Sequence, residues 1–168
     1  MKKFSAARLT VLTALIAAAY VALTYVSAAF GLAFGQVQFR LSEALNILAA
    51  FTPAAIPGLT IGCFLSNLTS PFPLDMLFGT LATLLTSITI YLLSRKFNSS
   101  LPFVSVIPPT VFNAILVSMQ ISLFTDASAD ITLFIITAVS VAIGEIAVCS
   151  LLGIPLYYAL KKISNKIF

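Results

Sequence analysis

The 168-residue chain is 60% hydrophobic and 8% charged, with a mean hydropathy of +1.11 and a net charge of +4. A soluble domain carries roughly 25% charged residues, so too little polar surface remains here for a water-facing exterior. The composition excludes a soluble fold and implies a single membrane-embedded domain over residues 1–168. The positive charge does not indicate nucleic acid, because the cations gather at the ends of apolar runs.

Those runs are continuous and rich in Ala, Leu and Ile, unlike the alternating segments of about ten residues in a membrane barrel. An all-α bundle is expected. Helix 1 runs from about Leu9 to Phe30, close to the ~20 residues that cross a bilayer. Its basic start and Ser27-Ala28-Ala29 resemble a signal peptide, but the apolar run is longer than a typical signal core, so a retained helix is expected. Gly31 to Phe39 forms a loop, extended through Gln36-Val37-Gln38-Phe39, where polar and apolar residues alternate. Helix 2 covers Leu41 to Phe51. At ~1.5 Å per residue it reaches roughly 17 Å against a hydrocarbon core of about 30 Å, so it cannot span alone.

Thr52-Pro53 reads as an N-cap followed by proline at the first helical position. It opens a helix 3 that ends near Leu68 and is interrupted by Pro57-Gly58 and Gly62. After the loop Thr69 to Pro73, Asp75 is expected to cap helix 4, which extends to Ser94. Asn98 to Pro102 is a turn. Helix 5 ends near Phe124, with Pro108-Pro109 disturbing its first turns. Thr125 to Asp130 is polar, and helix 6 runs from Ile131 to Leu160 with a bend expected at Pro155.

Six crossings put both termini on one side. Lys2, Lys3 and Arg8, then Arg95 and Lys96, then Lys161, Lys162 and Lys166 would then lie inside. Arg40, Glu43, Asp75, Asp126 and Asp130 would lie outside. The positive-inside rule supports six transmembrane helices with cytoplasmic N and C termini, whereas five spans would place one basic cluster outside.

Arg40 and Glu43 stand out because a charge beside a membrane must be paired, hydrated or bound. Three residues apart on a helix, they share a face. Asn67 and Asp75 fall at the same outer end, where capping explains each equally well. Asn113 and Gln120 share a face of helix 5 with Val117 between them, as interhelical glue or ligand contacts. Glu145, beside Gly144, lies deep in helix 6. A carboxyl there is a functional candidate by default, with Asn113 its structural alternative.

Short or Gly/Pro-broken segments point to binding sites in transporters, and helices 2 and 3 are both; a packing kink is the bland alternative. Tyr25, Phe30, Phe34, Phe39 and Phe72 serve as interface anchors or core, with one or two available to stack on a flat ligand. Ala14, Ala18 and Ala22 form a stripe of small residues for internal packing or for a partner helix. Cys63 and Cys149 read as buried free thiols. No histidine occurs, so neither a His metal site nor a His proton relay is expected. No P-loop, H-E-x-x-H or G-x-S-x-G motif occurs, so no enzyme activity, catalytic residue, cofactor or metal is expected. No internal repeat is evident, which argues against a self-sufficient repeat-type transporter.

The run Gln38-Phe39-Arg40-Leu41-Ser42-Glu43-Ala44-Leu45, then Gly58 to Cys63 with Asn67, then Pro73-Leu74-Asp75 and Gly79 to Thr83, resembles the QueT family. The likeness covers nearly the whole chain, and Arg-Leu-Ser-Glu is its most specific part. The resemblance implies a substrate-binding S component of an energy-coupling factor (ECF) transporter in the cell membrane. Its substrate would be a queuosine precursor, a 7-deazaguanine such as queuine or its aminomethyl or nitrile precursor, bound near the outer face. It also implies partners: the lipid bilayer, a transmembrane coupling subunit that meets the Ala14, Ala18, Ala22 stripe, and two cytoplasmic ATPase subunits.

A carboxylate can accept two donors from a deazaguanine edge, and an amide or arginine can serve its carbonyl. The expected substrate set is therefore Arg40, Glu43, Asn67, Asp75, Asn113, Gln120 and Glu145. Glu43 or Glu145 would read the donor edge and Asp75 would lie near the substituent. Arg40 would pair with Glu43 as a latch. Two other readings stay open: a stand-alone secondary transporter or facilitator of another small polar solute, and a ligand-free membrane scaffold.

Overall fold

A computed structural model describes residues 5–34, 38–97, 101–124 and 131–167. The stretch at Gln36-Val37, the turn residues 98–100, the polar segment 125–130 with Asp126 and Asp130, and Lys2 and Lys3 lie outside them. Among the described residues every element is helical. They are α1 (Ala6–Ala29), a 3-10 helix (Leu41–Ala50), α2 (Ala55–Asn67), α3 (Asp75–Ser94), the single turn α4 (Leu101–Val104), α5 (Ile107–Phe124), α6 (Ile131–Val148), a π segment (Cys149–Gly153) and α7 (Ile154–Ile167).

Four helical stretches are long and apolar enough to cross a membrane: Ala6–Ala29, Asp75–Ser94, Leu101–Ser122 and Ile131–Ile163. The chain is a multi-pass membrane protein. Their outward faces carry exposed Leu, Ile and Val, as a bilayer solvent requires.

The ends of α1 are set locally. Ser5 Oγ accepts from the backbone N–H of Arg8 at 3.3 Å. At the other end Gly31 takes φ 71°, and Leu32 N–H returns to Ser27 O at 2.9 Å while Gly31 N–H bonds Ala28 O at 2.9 Å. This Schellman closure needs a residue without a Cβ at the left-handed position. It turns the chain back over the bundle, and Phe39 N–H bonds Leu32 O at 2.8 Å.

Leu41 to Ala50 winds as a 3-10 helix, not the α-helix expected. Ten residues at ~2.0 Å rise still cover only about 20 Å. The tighter winding places every third side chain on one ridge. Arg40, Glu43, Asn46 and Ala49 occupy such a ridge, and all are at least 95% buried. Thr52 Oγ1 accepts from Ala54 N–H at 3.3 Å in the turn before α2, but the helix begins at Ala55 behind Ala54, which makes no side-chain capping bond, so the expected Thr52-Pro53 start is corrected: both residues lie ahead of the helix.

α2 lies along α1 in the same direction. A Cβ on Gly58 would fall 2.9 Å from Ile16 Cβ, and one on Gly62 would fall 2.7 Å from Tyr20 Cβ and 2.9 Å from Ala17 O. Two glycines four apart thus let α1 seat directly on the α2 backbone, the close approach small residues permit in lipid. This contact uses Ile16, Ala17 and Tyr20 of α1 and leaves Ala14, Ala18 and Ala22 exposed on the opposite side.

Pro108-Pro109 falls in the first turn of α5, where missing N–H groups cost nothing. The bend expected at Pro155 is taken up upstream. Proline cannot donate to Leu151 O, and the ladder widens to a π turn over Cys149–Gly153. The apolar core lies beneath the 3-10 ridge, built from Ile16, Leu48, Ala55, Leu59 and Ile90, with Ile47, Leu101 and Tyr157 beside it.

Candidate functional site

The 3-10 ridge is the spine of a polar column enclosed by α1, α2, α3, α5 and α6. Its deeper tier centres on Glu43, which is 2% exposed. Glu43 Oε1 accepts from the Tyr20 hydroxyl. Oε2 accepts from Asn46 Nδ2 at 2.6 Å, one 3-10 turn on. Asn113 Nδ2 on α5 lies 3.5 Å from the same oxygen and donates to Glu145 Oε1 at 2.9 Å. Cys149, the first π residue, sets its thiol 3.8 Å from the Glu43 carbonyl and 3.9 Å from Glu145 Oε2. A narrow cleft of about 10 Å³, room for about one water, opens beside this tier, with Glu43, Asn46, Ser105, Cys149 and Gly153 in its walls.

The outer tier centres on Asp75, also 2% exposed. Gln120 sits seven residues beyond Asn113 on α5, a rise of about 10.5 Å, and its Nε2 donates to Asp75 Oδ1 at 2.6 Å. Ser70 Oγ donates to Asp75 Oδ2 at 2.5 Å, and Asn67 Nδ2 donates to Asp75 O at 2.9 Å. Arg40 enters from the loop side. Its Nε donates to Ala33 O at 2.7 Å, its Nη2 lies 3.7 Å from Asp75 Oδ2, and its guanidinium stacks over Phe34 at 5.2 Å. Burial works against the Arg40 charge, but surrounding negative potential, from Asp75 and Glu43 among others, more than offsets it and raises its pKa.

Glycines make the room. A side chain at Gly79 would meet Asn67 Nδ2 at 2.8 Å, and one at Gly144 would meet the Gln38 carbonyl at 1.8 Å. Gln38 and Phe39 therefore lie against the α6 backbone at Gly144. Thr24 Oγ1 donates to Ser42 Oγ at 2.8 Å and Ser27 Oγ accepts from Leu41 N–H at 2.9 Å, fixing the start of the 3-10 helix to α1.

All seven polar residues singled out in the sequence are buried here: Arg40, Glu43, Asn67, Asp75, Asn113, Gln120 and Glu145. Two local expectations are corrected. Arg40 ion-pairs with Asp75, because the chain leaves the ridge at residue 40 and carries the guanidinium toward the α3 terminus. Asp75 is the first residue of α3, not its cap, and its carboxylate is used by Ser70 and Gln120. Of the aromatics, Phe34 takes part through Arg40, while Tyr25, Phe30 and Phe72 face outward.

Sequence reasoning missed Tyr20 and Asn46 as members of the column. Cys149 is the buried free thiol expected, and it lies against the Glu43 backbone carbonyl and the Glu145 carboxyl. The signal for Asn46 was its spacing of three from Glu43, the same spacing that links Glu43 to Arg40.

Fold and site together define a multi-pass helical membrane protein with a buried, acid-rich polar column, an arrangement suited to enclosing a small polar solute. The sequence profile of the QueT transporter family matches residues 10–162, and the chain belongs to that family. It is 42% identical over 71 residues to a protein named Queuosine precursor transporter QueT from Lactococcus lactis subsp. cremoris (strain MG1363); the match covers 42% of this chain and 42% of the relative. No solved structure matches.

Proposed function

We propose that this chain is the substrate-capture subunit of an ECF-type importer and that its cargo is a queuosine precursor of the 7-deazaguanine class. The observation that carries the reading is the enclosed column on Glu43, Asp75 and Glu145. A flat heterocycle with ring N–H and amino donors matches carboxylate acceptors. Membership of a transporter family and the name of the Lactococcus relative favour the same cargo. Glu43, Asn113 and Glu145 read the base in the deeper tier. Arg40, Asn67, Asp75 and Gln120 close over it in the outer tier. Capture is from outside the cell membrane, with six passages and cytoplasmic termini.

Energy comes from two ATPase subunits through a coupling subunit seated on Ala14, Ala18 and Ala22. That stripe is exposed while the neighbouring face of α1 is occupied by α2. The test is reconstitution. The purified chain in liposomes binds a deazaguanine without accumulating it, and uptake appears only with the coupling subunit, both ATPases and ATP. Ion-gradient-driven uptake by the chain alone would sink the ECF reading in favour of a self-sufficient transporter.

A further inference from the structure

Away from the column, the end of α3 and the body of α7 meet. Leu93 of α3 and Leu156 of α7 pack on the cluster of Ile47, Leu101 and Tyr157. Tyr91 and Leu160, from the same two helices, pack on the neighbouring core around Leu48 and Ile90. This seam gathers Arg95 and Lys96 with Lys161 and Lys162, and all four are exposed. Two basic clusters far apart in sequence thus form one face. No carboxylate among the described residues answers them: Glu43, Asp75 and Glu145 are all buried in the column. Asp75 opens α3 and Arg95 follows its last residue, so 20 residues, about 30 Å, lie between the two.

The same local construction occurs on both sides of the seam. The Arg95 guanidinium stacks over the Tyr91 ring at 4.7 Å and donates to the Tyr91 hydroxyl. Lys161 Nζ lies over the Tyr157 ring at 5.7 Å from its centre. Each cation sits four residues beyond its tyrosine, one helical turn on. A ring face holds the charge against the helix, where a long side chain would otherwise swing into water.

Helix lengths set the depth. At about 30 Å, α3 matches the hydrocarbon core, which puts Arg95 and Lys96 at its edge. The run Ile131–Ile163 has 33 residues, about 50 Å, against about 40–45 Å for core and headgroups together. Its last turns therefore lie among the headgroups. Leu92, Phe97, Tyr158 and Ile163 are exposed there, interleaved with the cations. A water-soluble acidic partner would meet the charges and leave these apolar groups unserved. An amphiphile meets both.

We propose that the α3–α7 seam is a binding site for an anionic phospholipid. Its phosphate is held by Arg95, Lys96, Lys161 and Lys162, and its acyl chains lie against the apolar side chains beside them. Arginine supplies a fork that fits two phosphate oxygens, and the lysines supply point charges. The site is separate from the column and does not depend on what the column binds.

The test is native mass spectrometry of the purified full chain in a neutral detergent. Dioleoylphosphatidylglycerol and dioleoylphosphatidylcholine are present together at equal concentration. The chain should retain the anionic lipid over the zwitterionic one by about tenfold or more. Replacing Arg95, Lys96, Lys161 and Lys162 together by Gln should bring the two lipids to parity, with an unchanged melting midpoint in lipid-free detergent. Should that variant not fold, the paired changes Arg95→Gln with Lys96→Gln, and Lys161→Gln with Lys162→Gln, should each lose part of the preference. Lys161→Arg with Lys162→Arg should keep it. Equal retention of the two lipids by the unaltered chain overturns the proposal. So does a preference that survives loss of all four cations. Displacement of the anionic lipid by excess inorganic phosphate, or by a glutamate-rich peptide, also overturns it, in favour of a free anion or an acidic protein.

Discussion

Asn113 and Glu145 meet at 2.9 Å across the α5–α6 interface, and the same Asn113 nitrogen lies 3.5 Å from Glu43. One amide thus joins two acids that are 102 positions apart in the chain, by subtraction of their numbers. It cannot be replaced by a side chain of similar size without leaving at least one carboxyl short of a donor. Asn113→Leu should lower stability by about 1–3 kcal/mol, seen as a lower midpoint in a thermal melt, and weaken ligand binding. An unchanged melt would mean that water serves Glu145 equally well.

The Arg40–Asp75 pair is buried on both sides, at 5% and 2% exposure. Removing one member strands the other charge, so Asp75→Asn should cost about 3–5 kcal/mol. The double change Arg40→Met with Asp75→Leu should cost less than either single change. A double-mutant cycle by thermal denaturation checks this; additive losses would show that the two groups do not communicate.

Gly144 supports the loop and not a helix contact, since its open side faces the Gln38 carbonyl. Gly144→Ala should lift Gln38 and Phe39 from α6 and carry Arg40 away from Asp75. The expected signature is loss of ligand affinity by about tenfold or more, with a smaller cost of about 1–3 kcal/mol in stability. Gly62→Ala should behave differently. It forces α1 from α2 at Tyr20 and should destabilise the bundle whether or not ligand is present. Melts with and without ligand separate the two.

Ala14→Phe, Ala18→Phe and Ala22→Phe alter an exposed face and leave the column alone. Each should retain ligand binding within about twofold, since surface changes away from special features typically fall within ±0.5 kcal/mol, while reducing ATP-driven uptake with the partner subunits. Normal uptake in all three would remove the stripe from the coupling interface.

Much of this was legible in the sequence because membrane chains leave so few polar residues to choose from. The α1, α3 and α5 boundaries followed from apolar length, and Asn113 and Gln120 fell on one face because seven residues make nearly two α-helical turns. The rest required distances no local pattern contains. Tyr20 sits in an apolar helix, and its partner Glu43 comes from a separate element 23 residues later. Arg40 read as the partner of Glu43 by proximity in sequence. The 3-10 winding and the return through Gly31 instead bring it to Asp75, 35 positions on. The proline at 155 marked the bend, but the π turn lies one turn earlier and brings Cys149 to the acids.

The central claim is that the column on Glu43 is where substrate binds. Glu43→Gln keeps the volume and one acceptor, removes the charge, and turns an amide donor toward Tyr20 or Asn46. Calorimetry of the purified chain with 7-aminomethyl-7-deazaguanine, run beside guanine and a flavin, tests it most directly. The account predicts tight binding of the deazaguanine by the unaltered chain and a loss of about a hundredfold or more in Glu43→Gln, consistent with losing charge-assisted hydrogen bonds. Equal deazaguanine affinity in the two proteins, or tight binding of flavin and none of the deazaguanine, would contradict it.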